Sequence, residues 1–82
     1  MLYAKINKPS ERVILHLQTI RPYEWPSKSG DVWTPLANAA EVAAFIHIHP
    51  EIEAVMFYDS RFPQRAVDVA KVTEKYLAKA FR

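Results

Sequence analysis

The chain has no cysteine, which excludes a disulfide scaffold, thiolate zinc sites and a cysteine nucleophile. Its single glycine, Gly30, leaves nothing from which to build a glycine-rich phosphate loop or a glycine-flanked nucleophile elbow. No apolar run approaches the roughly 20 residues that cross a bilayer, so membrane association is not expected. Basic residues exceed acidic ones by only 11 to 9. That excess is small for a dedicated nucleic-acid binder, and the distribution of the charges has to decide. The N-terminal MLYAKINKPSERV lacks a basic region followed by an apolar run and a small-residue cleavage site; no secretory signal is expected, and a cytoplasmic location fits.

What is present is apolar: half of 82 residues. That length suits one domain spanning residues 1–82, with no room for a second core. A domain this small buries about 60–65% of the surface its unfolded chain exposes, so a partner or a second copy can add usefully to its stability.

Residues 2–6 (LYAKI) and 12–20 (RVILHLQTI) are rich in strand-forming side chains. In the second run Val13, Leu15, Leu17 and Thr19 point one way while Ile14, His16, Gln18 and Ile20 point the other. The NKPSE between the two runs reads as a reversal, which predicts a β-hairpin. PLANAAEVAAFIHIHPE, 35–51, is alanine-rich and predicts a helix. Its start is capped either by Thr34 with Pro35 in the first turn or by Asn38 with Glu41. Leu36, Ala39, Ala40, Val42, Ala43 and Ile46 share its apolar face, while Phe45 and Ile48 fall outside it. Pro50 ends it.

IEAVMFYD, 52–59, predicts a central or doubly buried strand, since its apolar core is continuous. A turn from Asp59 to Pro63 then leads into a second helix over roughly 63–81. On that helix Ala66, Ala70, Thr73, Leu77, Ala80 and Phe81 line one side, flanked by Val69 and Tyr76. The expected architecture is a small two-layer α+β sandwich in ββαβα order, with three strands and both helices on one face. Val32 and Trp33 offer a short fourth strand as an alternative to the three.

Three constellations bear on function. RPYEWPSKSGDVWTP, 21–35, holds both tryptophans, three of the six prolines and the glycine. A long segment without regular periodicity, stiffened by proline, suits either core completion or an aromatic contact surface. Tyr23, Trp25 and Trp33 are of the types enriched at binding hot spots; Trp25 is the better candidate for contact and Trp33 for core. With Phe45 and Ile48 they form the expected protein-binding set.

Lys71, Lys75, Lys79 and Arg82 fall on one side of the second helix and are the candidate phosphate contacts for an alternative, nucleic-acid-binding function. Against it, basic residues near a helix C-terminus also serve the helix dipole. His47 and His49, joined by Glu51 or His16, are the alternative metal ligands. They can converge only in an extended segment, because in a helix that spacing sets them about 160° apart. Tyr58-Asp59-Ser60-Arg61 reads as a strand-to-helix turn rather than a catalytic relay.

No cofactor and no enzymatic activity are expected. The leading expectation is a non-enzymatic module that binds a larger protein or pairs with itself as a homodimer. A small regulatory or inhibitory protein, such as a mobile element carries, is one form of this.

Overall fold

A computed structural model of the chain describes residues 2–7, 12–19 and 33–81. Strands β1 (Leu2–Asn7) and β2 (Ile14–Gln18) pair antiparallel, with Ala4 opposite Leu17 and Ile6 opposite Leu15. Strand alternation sends Leu2, Ala4, Leu15 and Leu17 to one face, where all four are fully buried. Strand β4 (Ala54–Phe57) lies parallel to β2, setting Val55 beside Leu15 and Phe57 beside Leu17. The apolar continuity of β4 fits its place in the sheet interior.

With β3 (Thr34–Leu36) and β5 (Val67–Asp68) at the two edges, the order is β3-β1-β2-β4-β5, a mixed five-stranded sheet in a small α+β domain. Helices α1 (Ala39–His47) and α2 (Glu74–Ala78) pack against each other. Val42 from α1, and Leu77 and Ala80 from the C-terminal segment, join Leu15, Leu17 and Phe57 in one core cluster. Both helices therefore cover the same face.

The fourth strand is displaced from its expected position, and β5 goes beyond the expected set. β3 is Thr34–Leu36, paired antiparallel with β1, so Pro35 sits in an edge strand rather than in the first turn of a helix. It begins two residues beyond the expected Val32, and Val32 itself lies outside the described residues. Helix α1 starts at the second of its two candidate caps. Asn38 is extended at φ −156°, its Oδ1 accepts from the Glu41 N–H at 2.9 Å, and Glu41 Oε1 accepts from the Ala37 N–H at 2.6 Å. Asn38→Ala should cost about 1 kcal/mol, read as a drop of about 4–8 °C in thermal midpoint.

The second helix is the larger correction. The chain over 63–81 is not one helix: β5 (Val67–Asp68), a 3₁₀ turn (Val69–Lys71), α2 and a second 3₁₀ turn (Lys79–Phe81) follow in sequence. Val67, Val69, Val72 and Thr73 put four β-branched residues into seven positions, a poor helix start. The outer edge of β4 offers them an alternative. Val67 pairs with Val55, the Val69 N–H donates to the Glu53 carbonyl at 3.0 Å, and Arg12 holds Asp68 at 2.8 Å. Thr73 then caps α2 by accepting from the Tyr76 N–H. Tertiary pairing has overridden alanine's helical preference.

Phe62, which the sequence places in a turn, is buried. Its ring lies 3.9 Å from that of Phe57, stacked, and 5.4 Å from Tyr76, edge-on. This aromatic trio fills the space between β4 and α2.

Candidate functional site

Two concave places stand out among the described residues, one on each side of the sheet. The first lies between edge strand β3 and α1. Pro35, Leu36, Ala44, Phe45 and Ile48 line a groove of about 290 Å³, with Glu41 at its rim. The helix ends at its cap Ile48, and that side chain is 69% exposed. Ala44 and Ala40 are exposed one and two turns before it, so Ala40 is not part of the buried face. The Glu41 carboxylate is already bonded to a backbone N–H. Apart from Glu41, the side chains that line the groove are apolar.

Phe45 is half-buried, its ring 4.3 Å from that of His49. His49 Nδ1 lies 2.8 Å from the Phe45 carbonyl, so the ring nitrogen donates and caps the end of α1. His47 is exposed. No group of three histidine, cysteine, aspartate or glutamate side chains suited to a metal ion occurs among the described residues. Among the described residues, no such group joins His47 and His49 to Glu51 or His16.

The second place is on the sheet face away from the helices. Lys5 from β1, His16 and Gln18 from β2, Trp33 before β3 and Tyr58 after β4 line a pocket of about 230 Å³. His16 Nδ1 and Tyr58 Oη are 2.7 Å apart, and the two rings lie nearly parallel with centroids 5.6 Å apart. The parallel pairing of β2 with β4 is what brings them together. His16 Nε2 is buried and has no hydrogen-bond partner among the described residues.

Trp33 is only 8% exposed, with Lys5 Nζ 5.7 Å from its ring centroid. It is thus buried, but apart from the main core cluster. Tyr23 and Trp25 lie outside the described residues.

Burial first, and the Lys5 ammonium second, push the His16 imidazole below its usual value near 6.5. The folded protein therefore resists a proton that the unfolded chain accepts. This contribution to stability is complete above about pH 6.5 and declines as the pH falls from there toward the lowered folded value. Urea midpoints should fall with acidification over that window, and His16→Gln should flatten the dependence.

The turn after β4 is a structural lock. Arg61 donates Nε and Nη2 to the Asp59 carboxylate and Nη1 to the Lys79 carbonyl at 3.0 Å. These bonds hold the Asp59 carboxyl below the usual carboxylate range. The carboxylate is occupied in orienting a loop, as expected for a turn.

The lysine stripe rested on one continuous helix. Lys71 instead lies in the 3₁₀ turn before α2, Lys75 within α2, and Lys79 in the turn after it, 5.5 Å from the Tyr76 ring. Extended backbone at Val72 and Thr73 separates the first from the others, and Arg82 lies outside the described residues. No helix among the described residues is long and apolar enough to cross a membrane.

Of the expected contact residues, Phe45 and Ile48 line the groove, Ile48 exposed and Phe45 half-buried against the core cluster. Sequence reasoning missed the His16–Tyr58 pair. The one available signal was that both side chains point away from the core face, which becomes a contact only once β2 and β4 are neighbours.

No family model, curated protein or solved structure gives a match to this chain.

Proposed function

We propose that this chain is a non-enzymatic protein-binding domain that works through the α1–β3 face. The observation that carries this is Ile48, a large apolar side chain left 69% exposed beside an apolar groove. Burying such a side chain is worth about 1.5–3 kcal/mol, and leaving it in water has no benefit to the fold.

The occupant that suits the face is a second copy of the chain. Ile48 is a projecting side chain and the hollow over Leu36, Ala44 and Phe45 lies next to it, so one two-fold contact can fill two hollows at once. Ala40 and Ala44 let a second helix approach closely along α1. Strand edges are less suited to pairing, since β3 has three residues with Pro35 in the middle and β5 has two. A net charge of +2 per chain opposes association only weakly.

A dilution series followed by amide NMR tests the reading. Concentration-dependent shifts should concentrate at Leu36, Glu41, Ala44, Phe45 and Ile48. Spectra that do not change with concentration count against self-association through this face.

A further inference from the structure

We propose that the pocket on the other side of the sheet binds a planar nitrogen heterocycle of nucleobase size, taken as a free nucleoside or as a base presented by a single strand. Its position, on the face away from the helices, makes it independent of the α1–β3 contact surface.

Size, faces and edges each narrow the ligand. At about 230 Å³ the pocket is smaller than the roughly 300–1,000 Å³ that holds drug-sized molecules, and it suits one ring system. The nearly parallel His16–Tyr58 pair supplies ring surface against which a flat molecule can stack, and the buried Trp33 indole closes one wall. Tyr58 is 48% exposed, leaving its ring accessible from solvent.

The polar lining then selects among flat molecules. The Gln18 amide carries both a donor and an acceptor. His16, held neutral by its surroundings and tied to Tyr58 through Nδ1, has a buried Nε2 with no partner among the described residues. A hydrocarbon ring would leave these groups unpaired, and a bare carboxylate could only accept. A heterocycle with donors and acceptors alternating along its edge can answer Gln18 and His16 together.

The test is an amide and indole NMR titration of the whole chain with adenosine, guanosine, cytidine and uridine, with short single-stranded homopolymers, and with benzoate. At least one nucleoside should give saturable shifts at Lys5, His16, Gln18, Tyr58 and the Trp33 indole. His16→Phe and Gln18→Leu should each weaken that binding about tenfold, by removing one hydrogen-bonding group while keeping the bulk. A homopolymer that binds more tightly than its nucleoside identifies a single strand as the source, and equal or weaker binding identifies the free nucleoside. If His16→Phe does not fold, Gln18→Leu decides alone. Saturable binding of benzoate only, no saturable binding at all, or nucleoside binding that the variants leave unchanged would each overturn the proposal.

Discussion

Phe57→Ala should remove about 3–5 kcal/mol of stability. Phe57 is 2% exposed, lies in the sheet interior on β4, and sits beside Leu17 across the parallel pair. Its ring stacks on Phe62 at 3.9 Å and meets Tyr76 edge-on at 6.1 Å. Truncation therefore removes contacts to the sheet, to the β4–β5 loop and to α2 together. The rigid strands on either side cannot close the resulting void. At about 0.05–0.15 kcal/mol per residue, a domain of this length holds only about 4–12 kcal/mol in all. Urea unfolding should accordingly show a large drop in midpoint for the variant, whereas Phe57→Leu keeps most of the volume and should lose far less. A loss below about 1 kcal/mol for Phe57→Ala would mean that the aromatic trio does not join the two layers.

Ile48→Asp should leave the fold intact and abolish association through α1. The side chain is mostly in solvent in the single chain, so its replacement should change stability by less than about 0.5 kcal/mol. In a contact it becomes an anchor, and a buried, unpaired carboxylate there costs about 2 kcal/mol or more, roughly thirtyfold in affinity. Ala44→Arg attacks the same contact from the hollow and should have a similar effect. The pairing of an unchanged unfolding curve with lost association separates a contact role from a core role.

The fold was legible in the sequence where local preference and tertiary context agree. Leu15 and Leu17 alternate with His16 in a run of strand formers, and they are buried as that alternation requires. Asn38 and Glu41, the second of the two cap pairs that the sequence offers, cap α1. The region after Pro63 was misread because alanines and lysines at helical spacing outweighed the valines between them. What decided against one long helix was the unpaired edge of β4, a demand that arises only once the sheet has formed.

Phe62 was invisible for a related reason. A phenylalanine in a polar turn carries no periodicity, and only the Asp59–Arg61 lock and the neighbouring Phe57 fix where it goes. For the candidate sites, surplus apolar residues on α1 could be counted from a helical projection. The His16–Tyr58 pair joins residues 42 positions apart and depended on strand order, which spacing does not encode.

The central claim is that the α1–β3 face is a protein contact surface whose occupant is a second copy of the chain. Sedimentation equilibrium of the wild-type chain beside Ile48→Asp, across the micromolar range, tests it most directly. The account predicts a monomer–dimer equilibrium for the wild type and a monomer for the variant, with both equally folded by circular dichroism. A wild-type chain that stays monomeric throughout, or a dimer that Ile48→Asp does not disturb, would contradict it.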